Sequence, residues 1–520
     1  MYRPRPRTMP ASRKLLAVAA TTALVAALFG LPSPASAVAP APAAGAQTSG
    51  DSLFPNVGNG GYDVRHYDVD LAYDFDTKAI DAKTTIKATA DHPLSSFSLD
   101  FEGLTVHSVT VDGKAAAYTR DNDAATTRHK LVITPKTPVH RAFTTVITYS
   151  GVPASHTDPD DSSEGWVQTD DGATAVAEPV GAMTWYPDNN TTKDKATYDI
   201  SLKIPTTIGG KNAAGVSNGE LTSKVRTGAT TTWRWKQRKQ MAPYLSMVSI
   251  GAYDVHQSTI GLASGRKIKE WSFIDSGLSA QDKQTTNESR TKIGPILRYM
   301  EKRFGPYPGN STGLLVDDTD LGYALETQDR PFFERSADEE TVVHELVHQW
   351  FGDAVSATDW SDLWLAEGPA TFLTTDYEHV NGSGPTTNAA YFGQWNTTPA
   401  DDPLWTTPMA AFTDPADLFG WQVYDRGAMT LEALRTTIGT ADLFTTMRQW
   451  IAQRNGSTGS TKDFQSLAED VTGLDLTSFF TDWAYEGNRP AWPSTQTSNP
   501  APKVAGEHKV HRTHRVSPGT

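Results

Sequence analysis

The sequence predicts an α+β fold, in which an N-terminal antiparallel β-sandwich or saddle domain is followed by a mostly helical domain. Short segments of alternating apolar and polar residues fill residues 60–255, and apolar residues at helical spacing dominate residues 256–493. The 520 residues of the chain are too many for one core, because a domain usually holds about 150 residues. We therefore expect two folded domains.

Residues 1–37 have the pattern of a signal peptide. Basic residues precede an apolar run from Leu15 to about Leu31, and small residues suited to cleavage end the segment. An uncleaved membrane anchor is the alternative, but the run is short for a bilayer span and is followed by proline and serine. We expect cleavage near Val38 and a secreted, extracellular protein.

Two further segments are expected to be disordered. Residues 38–59 form a predicted linker, because the stretch to Gly50 consists of little but Ala, Pro, Gly and Ser. Residues 494–520 form a predicted basic tail without an apolar period. The histidines of this tail could instead bind a metal weakly or contact acidic surfaces.

Alternating segments predict the strands of residues 60–255. The apolar face of the first segment consists of Tyr67, Val69, Leu71, Tyr73 and Phe75. Further segments of this kind lie at residues 97–101, 146–149 and 198–204. Asp112 and Gly113 between two such runs predict a hairpin turn. Regularly spaced short strands of this kind are typical of a β-sandwich.

Composition excludes several classes of function. The chain has no cysteine, which excludes thiol catalysis and thiolate metal sites, so the fold is held by its core and by any bound ions. A net charge of −14 argues against a nucleic-acid partner, because such proteins concentrate Lys and Arg. No apolar run after the signal peptide approaches the length of a membrane span, so we expect no stable membrane insertion after its removal.

A short motif in the helical domain predicts a zinc site. The segment from His344 to His348 reads H-E-L-V-H, which places two imidazoles one helical turn apart, and Glu367 supplies a third ligand. Zinc held by two His and one Glu keeps a position for water and lowers the pKa of that water to about 7. Glu345 can reach this water as a general base. The chain is therefore expected to be a hydrolase, with an accidental pair of structural histidines as the alternative.

The helix that carries this motif is predicted independently. Ser336 and Glu339 fit a capping box, and Gly352 is the predicted end. The apolar stripe between them consists of Val342, Val343, Leu346, Val347, Trp350 and Phe351. Helical spacing over residues 293–304 predicts a second helix, which Pro295 should kink or break.

The segment from Val342 onward resembles the aminopeptidase N family of zinc metallopeptidases, the gluzincin aminopeptidases. That family follows H-E-x-x-H with a glutamate in W-L-N-E-G-F-A, and this chain has W-L-A-E-G-P-A from Trp364. The resemblance implies a thermolysin-like catalytic domain over residues 256–493 and Glu345 as the catalytic glutamate. The ligands that it implies for one zinc ion per chain are His344, His348 and Glu367.

Two residues of the second motif depart from the family. Ala366 stands where Asn is usual, and Pro369 stands where Phe is usual. Because proline lacks an N–H, it fits only if the second ligand helix starts near Glu367.

A second family signature, G-A-M-E-N, has a variant counterpart that begins at Gly322 and reads G-Y-A-L-E-T-Q. The resemblance implies that Glu326 accepts the free α-ammonium group of a substrate, with Gly322 and Ala324 also in the substrate-binding segment. Leu325 and Thr327 replace Met and Asn. An exopeptidase must recognise a charged terminus, and a carboxylate in a closed pocket is the natural counterpart.

Two further segments carry resemblance to functional residues. Glu178 lies in A-E-P, similar to a Q-x-E-P-like segment of the family, which implies a second amine anchor. An ordinary loop acid is the alternative. Tyr424 lies in V-Y-D-R-G-A, similar to V-Y-x-K-G-A, which implies that its hydroxyl stabilises the transition state. A buried core tyrosine is the alternative there.

The likeness extends over about residues 60–493, with smaller matches at M-E-K-R-F-G-P-Y-P, F-F-T-D-W and G-N-R-P. The large C-terminal helical domain of well-known members has no counterpart here, so we expect a short form with a more open active site. The predicted function is a secreted zinc aminopeptidase that acts on peptides with a free N-terminus. A secreted endopeptidase, an epoxide hydrolase and a non-catalytic binding protein are the alternatives.

Overall fold

Strands dominate the first half of the chain and helices dominate the second. The computed structural model describes residues 41–493, and the predicted signal peptide and basic tail lie outside the described residues. The strands of the first half are β1 Ala43–Ala44, β2 Tyr62–Tyr73, β3 Ile80–Ala90, β4 Leu94–Asp100, β5 Thr105–Val111, β6 Lys114–Ala115, β7 Ala117–Asp123, β8 Arg128–Thr134, β9 Ala142–Gly151, β10 Ser155–Thr157, β11 Ser163–Thr169, β12 Gly172–Val176, β13 Ala196–Pro205, β14 Thr207–Ile208, β15 Lys211–Asn212, β16 Ala214–Ser217, β17 Glu220–Thr227, β18 Thr230–Met241 and β19 Val248–Gly251.

These strands form three main sheets. The largest has the order β17-β18-β13-β2-β3-β9-β5-β6, and the others are β1-β4-β8-β7 and β10-β11-β12-β19-β16. Most neighbours are antiparallel, but β13 pairs with β2 in parallel. The predicted alternation on β2 is confirmed, because Tyr67, Val69 and Leu71 are buried. The predicted turn at Asp112 and Gly113 is also confirmed, since it joins β5 to β6.

Aromatic side chains join the largest sheet to the sheet that contains β4. Phe97 on β4 contacts Tyr62 on β2 and Phe143 on β9, with ring centroids 5.8 and 5.0 Å apart. Phe101, just beyond β4, packs edge-on against Tyr149 of β9 at 4.9 Å. The core of the N-terminal domain therefore lies between these two sheets, as in a sandwich.

The predicted disorder of residues 41–59 is wrong. Ala43 and Gly45 donate backbone hydrogen bonds to the segment around β4, and Phe54 is buried against Trp360, with ring centroids 6.4 Å apart. The carboxylate of Asp51 accepts a hydrogen bond from the backbone N–H of Trp360 at 2.9 Å. The low content of large apolar residues up to Gly50 does not extend to the residues that follow, and these anchor the segment.

The second half opens with strands and continues with helices. The strands are β20 Tyr253–Gly261, β21 Lys267–Asp275, β22 Leu315–Asp317, β23 Ala324–Leu325, β24 Phe332–Glu334, β25 Val355–Ala357 and β26 Ser457–Gly459. The helices are α1 Ala280–Arg290, α2 Ile293–Phe304, α3 Glu339–His348, α4 Trp364–Val380, α5 Thr387–Thr397, α6 Pro403–Thr406, α7 Gly427–Ile438, α8 Thr440–Arg454, α9 Thr461–Thr472 and α10 Thr477–Phe480. The predicted α+β fold class is confirmed.

The start of the second half differs from the sequence prediction in two respects. A five-stranded sheet of order β20-β21-β22-β24-β23 precedes and flanks the first helices, and β20 crosses the expected boundary at residue 255. The expected kink at Pro295 is wrong, because α2 begins at Ile293 and the proline lies in its first turn. A first-turn proline removes an N–H that has no partner within the helix. Within residues 41–493, no helix is both long and apolar enough to cross a bilayer.

Replacing Phe54 by Ala tests whether the segment before β2 contributes to the folded state. We expect Phe54→Ala to lower the free energy of unfolding by about 3 kcal/mol, because it removes a buried ring and leaves a cavity. Val152→Ala, at a side chain that is 58% exposed, is the matched control and should change it little. Urea unfolding measures both, and equal stability of the two variants would contradict the docking of this segment.

Candidate active site

Helix α3, which carries H-E-L-V-H, begins with an aspartate cap. The carboxylate of Asp338 accepts hydrogen bonds from the N–H and the hydroxyl of Thr341, at 3.0 and 2.8 Å. Two glutamates in the first turn fit the positive end of the helix dipole. The predicted cap at Ser336 is wrong, because Asp338 directly precedes the first helical residue and takes the role two positions later.

The chain turns immediately after the second histidine. Helix α3 ends at His348, earlier than the predicted end at Gly352, and the N–H of Asp353 bonds to the His348 carbonyl at 2.9 Å. This turn brings the carbonyl of Phe351 to Nδ1 of His348 at 3.0 Å. Because a carbonyl only accepts, Nδ1 is the donor of this hydrogen bond, and Nε2 is the ring nitrogen that faces Glu367. The imidazole is therefore oriented for metal binding.

Helix α4 supplies Glu367 from its first turn. It begins at Trp364, whose indole N–H donates to the hydroxyl of Thr461 at 2.8 Å. This start is three residues before the position expected from the proline, so Pro369 lies inside the helix. The carbonyl of Leu365 consequently lacks its usual intrahelical N–H partner. Helix α4 continues through its second turn without this hydrogen bond, and Glu367 faces the histidines of α3.

The three expected ligands lie together. Nε2 of His344 and Nε2 of His348 are 3.2 and 3.3 Å from Oε2 of Glu367. Ligands that surround a tetrahedral zinc ion at its usual bond lengths are about 3.3 Å apart. All three side chains are buried, and their donor atoms are within 4.8 Å of one another. The residues present therefore fit a zinc ion.

Further carboxylates surround the histidines. Oxygens of Glu326 and Glu345 lie within 4.8 Å of a ring nitrogen of His348 and of each other, and both side chains are buried. Burial lowers the pKa of His348, but the carboxylates around it, Glu367 first, outweigh burial and raise this pKa well above its ordinary value. Such a concentration of buried negative charge requires a compensating cation.

Tyr424 lies beside the first ligand. It belongs to a π-helical turn, Gln422–Arg426, and its ring is nearly parallel to that of His344 with centroids 6.4 Å apart. Burial raises the pKa of Tyr424 well above its ordinary value, and the charge of Glu367 raises it further. The phenol therefore keeps its proton and can donate a hydrogen bond.

A glycine contact sets the distance between Tyr424 and the ligand helix. Gly368 on α4 and Gly427 at the start of α7 touch so closely that a Cβ on Gly427 would lie 2.9 Å from Cα of Gly368. The guanidinium of Arg426, next to this contact, donates to backbone carbonyls of Trp483 and Trp405 at 2.9 and 3.0 Å. These contacts hold the turn of Tyr424 against the residue that follows Glu367.

The predicted substrate-binding segment borders the site. Gln349, directly after His348, donates from Nε2 to the backbone carbonyl of Glu326 at 3.3 Å. Ala324 lies on the edge strand β23, and Gly322 has a positive φ of 80° and donates its N–H to Glu334. The carboxylate of Glu326 thus enters the site from the strand edge.

Glu178 reaches the site from the N-terminal domain. It follows β12, is 2% exposed, and precedes a cis peptide bond to Pro179. Burial first, then the charges of Glu326 and Glu178, raises the pKa of Tyr244 well above its ordinary value. The same two carboxylates act on the phenol of Tyr424. Both expected amine anchors therefore lie near Tyr424, whose ring is beside that of His344.

Two buried ionisable side chains beneath the site, those of Lys195 and Asp353, are not predicted from the sequence. Nζ of Lys195 donates to the backbone carbonyl of Asp353 at 2.8 Å, which holds the turn after His348. Burial lowers the pKa of Lys195 to about 7, against the opposing charge of Asp353. Burial also raises the pKa of Asp353 well above its ordinary value. Asp353 lies five residues after His348, so its closeness to the motif was a possible signal. No pattern in the sequence connects Asp353 to Lys195.

Comparison with known proteins agrees with this geometry. Residues 321–483 match the peptidase family M1 domain, and residues 64–245 match the peptidase M1 N-terminal domain. The chain belongs to the M1 family of peptidases, the family of aminopeptidase N. Membership of this family implies zinc as the metal of the site, in agreement with the donor set.

Curated M1 relatives share a modest part of the sequence. Aminopeptidase N of Escherichia coli strain K12 is 23% identical over 470 residues, which cover 84% of this chain and 51% of that protein. Aminopeptidase N of Acetobacter pasteurianus is 28% identical over 59% of this chain and 88% of its own length. Aminopeptidase M1-C of Oryza sativa subsp. japonica is 24% identical, and the matched region covers 38% of its length. The chain thus spans only two fifths to half of several M1 relatives.

Solved M1 structures share the fold. The M1 zinc metallopeptidase of Deinococcus radiodurans superimposes with a TM-score of 0.77 at 25% identity, over 86% of this chain and 100% of that chain. A mutant of that protein, bound to the substrate Tyr-Ser-Ala, superimposes with a TM-score of 0.76 at 26% identity. The two-domain arrangement of this chain therefore has a solved counterpart.

Removing one imidazole should remove the zinc held here. We expect His348→Ala to lose one equivalent of zinc relative to the unaltered protein, because two remaining ligands bind zinc far more weakly than three. Elemental analysis after dialysis measures this loss. His107→Gln, at an exposed histidine of β5, is the control, and a zinc content unaffected by His348→Ala would contradict the assignment.

The glycine contact predicts a sensitive position away from the metal. We expect Gly368→Ala to lower kcat at least tenfold while zinc content stays unchanged, because the added methyl group displaces the turn of Tyr424. Gly261→Ala, where an added Cβ meets nothing within 4 Å, is the matched control. Kinetics together with elemental analysis distinguishes this effect from metal loss, and unchanged kcat would contradict it.

Proposed function

We propose that this protein is a zinc-dependent aminopeptidase, which removes single N-terminal residues from peptides. One observation supports this most strongly: the buried carboxylates of Glu326 and Glu178 both raise the pKa of Tyr424, whose ring lies beside that of the zinc ligand His344. A hydrolytic zinc site alone fits many reactions. Two carboxylates next to it fit a substrate whose reacting bond lies beside a positive charge, and the free N-terminus of a peptide is such a substrate.

The chain's own residues supply the steps of hydrolysis. When bound by His344, His348 and Glu367, zinc polarises the scissile carbonyl and makes water a stronger acid. The carboxylate of Glu345 lies within 4.8 Å of a ring nitrogen of His348. It accepts the proton of the attacking water and later returns this proton to the leaving amine. Tyr424 donates a hydrogen bond to the oxyanion that develops at the carbonyl.

The amine anchors determine which bond is cleaved. A substrate ammonium held by Glu326 and Glu178 would place the first peptide bond over the zinc ligands. An ammonium in this buried space also offsets the repulsion between the two carboxylates. An endopeptidase would need an open groove at this point, and a neutral blocked terminus would leave both charges uncompensated.

The relatives support this proposal. The Deinococcus radiodurans structure that this chain covers over its whole length is a zinc metallopeptidase solved with a tripeptide substrate. A mutant of a two-domain M1 zinc metallopeptidase has also been solved with L-arginine bound. Two domains can therefore form a substrate-binding M1 site, which supports a substrate-binding site built from the two domains described here.

We also propose export of the protein, on the signal-peptide pattern of residues 1–37. The N-terminus of the mature protein should lie near Val38, and N-terminal sequencing of protein recovered from the culture medium measures it. Recovery of the full-length chain from the cell interior alone would contradict export.

Glu345 is expected to carry the proton transfers. Glu345→Gln should lower kcat by about 10²–10⁴-fold and leave zinc content unchanged, because the amide cannot accept the proton of water. Glu339→Gln places the same substitution at an exposed position of the same helix and should retain near-normal kcat. Activity of Glu345→Gln equal to that of the control would exclude the general-base role.

The exopeptidase proposal is tested with free and N-acetylated aminoacyl chromogenic substrates. We expect the unaltered protein to cleave only the free forms, and Glu326→Gln to lower kcat/KM for them by roughly tenfold to a hundredfold, since a charge-assisted hydrogen bond contributes about 1.5–3 kcal/mol. Equal turnover of free and acetylated substrates would favour an endopeptidase. Absence of any chelator-sensitive hydrolysis would favour a non-catalytic binding protein.

A further inference from the structure

A second group of metal-ligand side chains lies in the N-terminal domain. Nδ1 of His156 is 3.0 Å from Oε2 of Glu102, and Nε2 of His129 is 3.5 Å from Oε1 of the same carboxylate. Donor atoms of all three side chains lie within 4.8 Å of one another. In the candidate active site, the corresponding histidine–glutamate separations are 3.2 and 3.3 Å. The two groups thus share ligand types and nearly the same spacing.

The fold brings these residues together from separate strands. Glu102 follows β4, and the N–H of the preceding residue, Phe101, bonds to the carbonyl of His129 on β8 at 2.8 Å. His156 lies on β10 and pairs with Glu164 on β11. Strands β4 and β8 belong to one sheet, whereas β10 and β11 belong to another. A cation bound here would therefore link two sheets.

Additional oxygen donors surround His156. Donor atoms of His156, Asp158 and Glu164 also lie within 4.8 Å of one another, and all three residues are buried. The carboxylate of Glu164 additionally accepts a hydrogen bond from the N–H of Val180 at 3.0 Å. Two imidazoles with nearby carboxylates and no thiolate suit zinc among the common divalent ions.

The cluster is accessible from solvent on one side. The side chain of Glu102 is 25% exposed, whereas those of His129 and His156 are each 9% exposed.

We propose that Glu102, His129 and His156 form a second zinc site, structural in function and separate from the candidate active site. The protein has no cysteine with which to form a disulfide, so a bound ion is the available means of cross-linking the two sheets. The proposal does not depend on the proposed function.

The position of this site connects it to the substrate-binding segments. Glu164, beside His156, holds the N–H of Val180, two residues after Glu178. The hydroxyl of Tyr323, within the other substrate-binding segment, donates to the carbonyl of Ser163 on the same strand at 2.9 Å. A zinc ion at His156 would therefore stabilise the strand on which both segments rest.

Metal content of the full chain tests the proposal. After zinc loading and removal of free metal, we expect two equivalents in the unaltered protein, one in H344Q/H348Q, one in H129Q/H156Q and none when all four histidines are replaced. The tail histidines are the competing source, so H508S/H511S/H514S is the matched control and should keep both equivalents. A second equivalent that is absent, survives H129Q/H156Q or disappears with the tail histidines would overturn the proposal.

Thermal unfolding provides a measurement that does not require H129Q/H156Q to fold. In H344Q/H348Q, which lacks both histidine ligands of the active site, the unfolding midpoint should rise by several degrees with zinc, because a ligand of the folded state stabilises it. Adding Glu102→Gln, which removes one charge, should abolish this rise. A midpoint in H344Q/H348Q that does not respond to zinc would show that the cluster is held by hydrogen bonds alone. Loss of peptidase activity would leave both measurements intact.

Discussion

Both imidazoles of the active site meet one carboxylate oxygen, Oε2 of Glu367, and the rest of the site depends on that convergence. Three more buried carboxylates, those of Glu178, Glu326 and Glu345, face the same region. Like charges this close repel strongly in a medium of low dielectric constant. The arrangement is stable only with compensating positive charge, which zinc and the substrate's ammonium group would supply. The chemistry and the specificity of the site therefore have one electrostatic origin.

The scaffold resists this repulsion through contacts that contain no catalytic group. The close approach of Gly368 and Gly427 fixes the ligand helix α4 against the turn that carries Tyr424. Lys195 extends from the N-terminal domain and binds the carbonyl of Asp353, so the turn after His348 is held by a residue of the other domain. A buried lysine is costly unless its donors are satisfied, and Nζ of Lys195 donates to the backbone carbonyls of Asp353 and Ala354 at 2.8 and 3.4 Å.

The sequence predicted the parts of the site that lie close together along the chain. The spacing of His344 and His348 is a local property of one helix, and Glu367 lies in a motif nearby. The roles of Glu326 and Glu178 could be predicted only from the resemblance to a family, because an isolated glutamate forms no motif with residues at a defined spacing. Lys195 could not be predicted at all, since its partner is 158 residues away.

The errors in the fold prediction have a related cause. The same local rule, that proline disrupts a helix beyond its first turn, was applied to Pro295 and Pro369. Pro295 lies in the first turn of α2, whereas Pro369 lies inside α4. Where a helix starts depends on what packs before it, for example Trp364 against Thr461 at the start of α4. The segment 41–59 looks unstructured by composition, but Phe54 finds a partner in Trp360, far along the chain. Such contacts depend on tertiary structure and leave no periodic signal in the sequence.

The division of labour between the two domains follows from where the charges lie. The zinc ligands, Glu345 and Tyr424 all come from the second half of the chain, so this half contains the groups to which the proposed function assigns hydrolysis. Glu178 comes from the first half, is buried, and acts on the phenol of Tyr424. In the proposed function, recognition of a free N-terminus by two carboxylates requires both domains. The β-domain, with its loop held through Glu164 and Val180, would then restrict a general hydrolytic centre to the ends of peptide chains.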